Sequence, residues 1–359
     1  YSGFIPSYEF TDAKLSELFQ RVVGSFPKSS VHYVSSTKNN KLIIVRVSGN
    51  DAPGTYYLFD SDNVKLTTLA SRYSVPAIAE IKAFKYNARD GLKIPALITM
   101  PPGAKGKKNL PLIALPHGGP EAYDQIGFDW MAQYFALKGY IVLQPNFRGS
   151  KGFGYDFRDA GRGRWGREMQ DDVSDGVGVL VKAGYVDPKR VCIIGGSYGG
   201  YSALAGGAFS PELYRCVISV NGVSDLPLML KNKKSRYGND HWVINYWHEV
   251  IGDSNAEIDK LRDISPINFA SQFQAPVLLI HGKDDLIVPF RQSAHMYEAL
   301  KKAGKSVELA TLKGEDHWLS TSATRLEMLK AIDRFLDTHN PADAVVNKKI
   351  IGVTNTAAP

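Results

Sequence analysis

Apolar residues recur along this 359-residue chain in two rhythms, and the change between them falls near residue 112. Ahead of it, Leu15, Leu18, Phe19 and Val22 follow the spacing of one buried helical stripe, which predicts a helix over residues 11–23. Residues 31–69 are β-like, with short strands at 41–47, 55–59 and 64–69 punctuated by Asn39-Asn40, Asp51-Ala52-Pro53-Gly54 and Ser61-Asp62-Asn63. Three strands of that size have little core of their own and are expected to lean on something else. Past Pro76, runs at 81–86 and 92–100 around Arg89-Asp90-Gly91 predict a hairpin.

From residue 112 onward, apolar runs at 112–115, 140–143, 190–194, 216–220, 277–280 and 307–311 alternate with helical patterns near 127–137, 173–182, 198–208, 291–302 and 325–336. Parallel strands need crossovers, so this alternation predicts an α/β fold: a mostly parallel central sheet with helices on both faces. Residues 224–264, rich in Trp, Tyr and polar side chains, break the rhythm and read as an excursion over the site. The expected divisions are a small β segment over 1–78, an α/β domain over 79–340 and a tail over 341–359.

The composition, 44% hydrophobic and 22% charged, is that of an ordinary globular chain. No window approaches the roughly 18 consecutive apolar residues of a membrane span, and the start lacks the basic and apolar regions of a secretory signal. Because the chain begins at Tyr1, a processed product or a fragment is expected, and a soluble protein of either cytoplasm or periplasm fits. Net charge is +7, yet the densest basic stretch, Arg158, Arg162, Arg164 and Arg167, is broken by Asp159 and followed by Glu168. That pattern suits a solvated loop or a charged cavity wall, not a nucleic-acid stripe. Cys192 and Cys216 sit in apolar strand patterns and read as buried free thiols, with a disulfide left open should their strands be neighbours.

Chemistry concentrates at Gly195-Gly196-Ser197-Tyr198-Gly199-Gly200, which follows the apolar run Val191-Cys192-Ile193-Ile194 and precedes a helix of small residues. A strand, a sharp turn and a helix with a hydroxyl at the apex form a nucleophile elbow, in which flanking side chains would collide with neighbouring backbone. A serine hydroxyl needs a base oriented by a carboxylate, and in α/β-hydrolases the chain order is Ser, then Asp or Glu, then His. The run 277–280 ends in His281-Gly282-Lys283-Asp284-Asp285, and the run 307–311 leads to Gly314-Glu315-Asp316-His317. Carboxyl ends of parallel strands share one crevice. Ser197 is therefore assigned as nucleophile, His317 as base and then acid, and Asp285 as the orienting acid, with Asp284 and Asp316 as rivals for the last role. The loop Pro116-His117-Gly118-Gly119-Pro120 supplies an oxyanion donor, so the backbone N–H groups of Gly119 and Tyr198 are the expected pair.

Other motifs carry less. Gly161-Arg162-Gly163-Arg164-Trp165-Gly166 matches a dinucleotide fingerprint in letters but follows no strand. His241, His248 and Glu249 lack metal-site spacing, and Asp171, Asp172 and Asp175 read as first-turn carboxylates of a helix. No metal or organic cofactor is expected.

Together with Asn146-Phe147-Arg148-Gly149-Ser150, Gly152-Phe153-Gly154, Trp165-Gly166 and Asp171-Asp172-Val173, these segments resemble the prolyl oligopeptidase family of serine peptidases, most closely its acylaminoacyl-peptidase and dipeptidyl-peptidase-like branches. The resemblance covers about residues 81–339 and implies an α/β-hydrolase fold. It selects Asp285, four residues after the strand-end His281, and implies a substrate pocket walled by Val223, Leu226, Met229 and Val288 together with Tyr198. It also implies an N-terminal β-propeller over the site, of which residues 31–69 look like one blade. One blade cannot close a ring, so the remainder is expected elsewhere in a longer polypeptide or in the other half of a nicked complex.

The implied function is hydrolysis of short peptides through an acyl-enzyme, by an exopeptidase or oligopeptidase acting after an apolar residue. Relatives often carry Arg or Asn two residues after the aspartate, where this chain has Ile287. The alternatives are an esterase or small-molecule hydrolase, and an inactive fragment that needs its propeller half. Expected partners are short peptides and the remaining propeller; membrane and nucleic acid are not expected, and a homo-oligomer is left open.

Overall fold

The computed structural model describes residues 3–252 and 258–343. Helix α1 (Ala13–Gly24) starts where the Asp12 side chain accepts the Leu15 N–H at 3.0 Å, and its buried Leu15, Leu18, Phe19 and Val22 cover one face of a small sheet. That sheet has four antiparallel strands, β1 (Ser29–Ser36), β2 (Leu42–Gly49), β3 (Pro53–Asp60) and β4 (Lys65–Ser71), in sequential order. Three were expected; β1 adds a fourth, and of its buried residues Ser29, Ser30 and Val31 only the last is apolar. The sheet leans on the rest of the chain through polar ties: Ser30 Oγ donates to the Ile126 carbonyl, Phe128 N–H to Ser48 Oγ at 2.9 Å, and Ile81 N–H to Asn50 Oδ1 at 2.7 Å.

An eight-stranded sheet follows, built from β5 (Glu80–Asn87), β6 (Lys93–Met100), β7 (Leu110–Ala114), β8 (Ile141–Pro145), β9 (Val186–Gly196), β10 (Cys216–Val220), β11 (Val277–Gly282) and β12 (Val307–Leu312). Its order is β12-β11-β10-β9-β7-β8-β6-β5; only the pairs made by β6 are antiparallel. The helices are α2 (Trp130–Lys138), α3 (Tyr155–Asp159), α4 (Glu168–Lys182), α5 (Tyr198–Phe209), α6 (Leu226–Tyr237), α7 (Trp242–Ile251), α8 (Ile258–Asp263), α9 (Arg291–Lys302) and α10 (Ser322–His339).

Strand alternation sends successive side chains to two cores. Ile113, Val142 and Ile194 meet Phe135 of α2 and Ile332 and Phe335 of α10 on one face. Leu112, Leu143 and Ile193 meet Val173 and Val177 of α4, Leu204 of α5 and Met296 of α9 on the other. Strand order reverses around β7, whose neighbours are β8 and β9, and the carboxyl ends there open into a crevice.

Two expectations are corrected. Cys192 and Cys216 are not free thiols but a disulfide, with Cα atoms 4.7 Å apart. They are register partners on adjacent parallel strands, so pleating points both to one face. A closed loop of this size is worth about 3.5 kcal/mol in the chain-entropy picture. The excursion at 224–264 is also more regular than expected, since α6, α7 and α8 fall within it. Of the expected tail at 341–359, residues 344–359 lie outside the described residues, and Pro341 accepts a 2.8 Å hydrogen bond from Arg190. Among the described residues no helix is long and apolar enough to cross a membrane.

Candidate active site

Ser197 caps α5 with φ 59° and ψ −119°, a left-handed conformation unfavourable for any residue but glycine. The turn closes only because its flanks are bare: a Cβ at Gly195 would lie 2.2 Å from the Gly199 carbonyl oxygen, and one at Gly199 would lie 2.2 Å from the Pro116 carbonyl oxygen. Hydrogen bonds from Ser197 N–H to the Val220 carbonyl (2.9 Å) and from Asn221 N–H to that of Ile280 (2.8 Å) lock the elbow to the ends of β10 and β11.

The three residues assigned to the relay lie in one line. His317 Nε2 is 3.0 Å from Ser197 Oγ, and His317 Nδ1 is 2.6 Å from Asp285 Oδ2. Asp285 Oδ1 accepts the N–H groups of Ile287 and Val288, each at 2.8 Å. Burial by itself would push the Asp285 carboxyl up, but hydrogen bonds with His281 and His317, the His317 charge and the Val288 N–H hold it well below the usual carboxylate range. Buried His281 braces the same turn, with Nδ1 at 2.7 Å from Ser293 Oγ and Nε2 at 2.9 Å from the Val288 carbonyl. The rivals stand apart: Asp284 is exposed, and Asp316 is occupied by Trp318 N–H at 2.9 Å and the Ser320 hydroxyl at 2.8 Å.

Gly119 and Tyr198 line one cavity with Ser197. Tyr198 opens α5, where backbone N–H groups have no partner within the helix. A Cβ at Gly119, with φ 122°, would lie 2.7 Å from Ala122 N, so the loop tolerates no side chain there. The loop is anchored by His117, stacked 4.4 Å from Phe147, with Nδ1 donating to the Gly118 carbonyl at 2.8 Å and Nε2 2.9 Å from Ser150 Oγ. Burial lowers His117 to about 4 against the opposing Gly118 bond, so it stays neutral near pH 7.

Val223, Met229, Val288 and Tyr198 line the cavity, about 500 Å³; Leu226 does not, being fully buried at the first turn of α6. Trp165, Trp247 and Trp318 also line it and escaped the sequence reading. Trp165 comes from the Gly161-to-Gly166 segment, a turn-rich loop between α3 and α4; Trp247 comes from α7.

Three further groups brace the site. Asn221, at φ 49°, accepts Gly282 N–H at 2.8 Å and donates to the His317 carbonyl at 3.2 Å, tying β10 to β11 and to the loop of the base. Buried Glu315 collects the N–H groups of Asp316, Ser320 and Thr321 and the Thr324 hydroxyl. Arg148 grips both oxygens of Asp172 at 2.8 and 2.7 Å and Asp90 at 2.7 Å, while Arg89 pairs with Asp171 and Asp175. The α4 carboxylates are thus ion-pair partners of the hairpin turn and of the loop after β8, a role beyond the expected dipole effect.

A model of the prolyl oligopeptidase family matches residues 126–341. The chain is 32% identical to dipeptidyl aminopeptidase BIII of Pseudoxanthomonas mexicana over 295 residues, 78% of this chain and 42% of that protein. It superposes on a Mycobacterium tuberculosis puromycin-hydrolyzing peptidase with TM-score 0.75 and 25% identity, over 85% of this chain and 46% of that one. For an acylaminoacyl peptidase in complex with Z-Gly-Gly-Phe-chloromethyl ketone the TM-score is 0.74 at 26% identity, over 88% of this chain and 50% of that one. The chain thus spans about half the length of its relatives. Its fold is that of an α/β-hydrolase, and with the family's model matching more than half of its residues, this chain belongs to the prolyl oligopeptidase family.

Proposed function

We propose that this chain carries the catalytic machinery of a serine peptidase that cleaves short peptides after an apolar residue, through an acyl-enzyme. The observation that carries the reading is the His317 ring held between Ser197 Oγ at 3.0 Å and Asp285 Oδ2 at 2.6 Å. Asp285 accepts a hydrogen bond from the Nδ1–H of His317 and so leaves Nε2 free to take the proton of Ser197. Ser197 Oγ attacks the scissile carbonyl carbon, and the developing oxyanion turns toward the N–H groups of Gly119 and Tyr198. His317 then protonates the leaving nitrogen as the C–N bond breaks, and a water molecule repeats the sequence on the acyl-enzyme.

Val223, Met229, Val288, Trp165 and Trp247 make the cavity apolar enough for a hydrophobic side chain before the scissile bond. The peptide ligand of the acylaminoacyl peptidase, which ends in Phe before its chloromethyl ketone, supports the same preference. An aryl peptidyl phosphonate is expected to modify the protein once, on the tryptic peptide containing Ser197, as read by mass spectrometry. An adduct on another serine sinks the assignment.

The four-stranded sheet has the strand count of one propeller blade, and closure takes at least about four blades. The remaining blades belong to a further portion of the same polypeptide or to a tightly held partner. The native enzyme is accordingly expected to have a mass well above that of 359 residues, and an active species of this chain alone would refute the requirement.

A further inference from the structure

Trp318 directly follows the base. Its indole stands edge-on to His317, with ring centroids 5.4 Å apart and an interplanar angle of 86°, and with Leu319 it lines the cavity of Ser197. It is nevertheless 75% exposed. The surrounding hydrogen bonds keep it there. Asp316 accepts Trp318 N–H at 2.9 Å and the Ser320 hydroxyl at 2.8 Å, while the buried Glu315 carboxylate holds the N–H groups of Asp316 and Ser320 at 2.9 and 2.8 Å. Leu319 sits at φ 54°, a left-handed conformation that costs a branched side chain free energy. A large apolar group held in water on so constrained a loop gains only when something covers it.

The chemistry identifies what that is. His317 hands its proton to the leaving nitrogen, so the substituent on that nitrogen lies beside His317, where the next side chains along the loop are Trp318 and Leu319. We propose that Trp318, with Leu319, forms the subsite for the residue immediately after the scissile bond and selects leaving groups bearing an apolar or aromatic side chain. The inference rests on the peptidase reading above and adds the second half of its specificity.

The test uses peptides with one common acyl part and Phe, Leu, Gly or Asp after the scissile bond, together with the methyl ester of that acyl part. The protein is expected to prefer Phe and Leu over Gly by about tenfold in kcat/KM, the scale of burying one side chain. In Trp318→Ala the preference shrinks to about twofold, the Phe and Leu peptides losing more than the Gly peptide or the methyl ester, and Trp318→Phe retains most of the preference. A second readout is capture of the acyl-enzyme by leucinamide or glycinamide during ester turnover. The amine nitrogen bonds to the acyl carbon, its proton passes through His317 Nε2 to Ser197 Oγ, and the Ser197 C–O bond breaks. Leucinamide should win in the native protein and lose its advantage in Trp318→Ala. An equal loss on every substrate, ester included, would make Trp318 a structural residue or one packed against another part of the polypeptide, and would overturn the proposal; so would an unchanged preference. Ester turnover with no cleavage of any peptide would instead overturn the peptidase reading, and amine capture would still decide the subsite.

Discussion

His317→Ala is expected to lower kcat about 10⁶-fold with little change in KM, since members of such a relay act as a unit. The substitution removes the imidazole and spares the loop that carries it. Asn221 holds His317 through its carbonyl oxygen, and Glu315 holds the neighbouring N–H groups, so neither contact uses the lost side chain. His117 cannot deputise: both of its ring nitrogens are engaged with Gly118 and Ser150, and burial keeps it a weak base. Steady-state kinetics on one peptide and one ester, with a melting curve as control, decide the matter. Residual kcat above about 1% of the native value in a folded variant would mean that another group serves as the base.

Asp285→Asn tests orientation instead of the proton carrier, and kcat is expected to fall about 10⁴-fold without loss of folded structure. The reason lies in the backbone. Ile287 and Val288 both point N–H groups at Oδ1, so an asparagine turns its carbonyl oxygen toward them and its NH₂ toward His317 Nδ1. An imidazole facing that donor must leave Nδ1 unprotonated and carry its proton on Nε2, toward Ser197, where no base remains. The native hydrogen bond between Asp285 and His317 gives the comparison a pH signature. Asp285 titrates below its usual range in the folded state, so its contribution to stability is fully present above about pH 4 and is lost as pH falls further, toward the folded-state value. The stability gap between native protein and Asp285→Asn should therefore be flat near neutrality and narrow in acid. A nearly fully active Asp285→Asn would remove the orienting role.

Much of the framework was legible because it rests on local periodicity. Strand runs such as 216–220 and 277–280 fall within one or two residues of β10 and β11, since an apolar run between turn residues has few other solutions. The elbow was legible for the same reason: glycines on both sides of Ser197 have a steric cause that the close approaches of Gly195 and Gly199 bear out. Other features lacked a local signal. Of the buried residues of strand β1, Ser29, Ser30 and Val31, only the last is apolar. Cys192 and Cys216 are 24 residues apart, and nothing in either run says that their strands are neighbours in register. Leu226 fits a pocket wall by chain position, yet the first turn of α6 points it into the core.

Asn221, Glu315 and Arg148 mark the limit most clearly. Asn221 and Arg148 depend on backbone groups or carboxylates brought in from distant parts of the chain, and Glu315 on N–H groups that its own loop folds back onto its carboxylate. By itself the sequence determined the alternation of strand and helix, the elbow, and the order of Ser197, Asp285 and His317 along the chain, because these depend on spacing and on steric limits between near neighbours. Only the tertiary structure decided which strands adjoin, that the two cysteines pair, which carboxylate faces His317 and which aromatic side chains close the cavity. Those outcomes depend on distances across the sheet edge, set by strand order, twist and packing, and no single segment contains them.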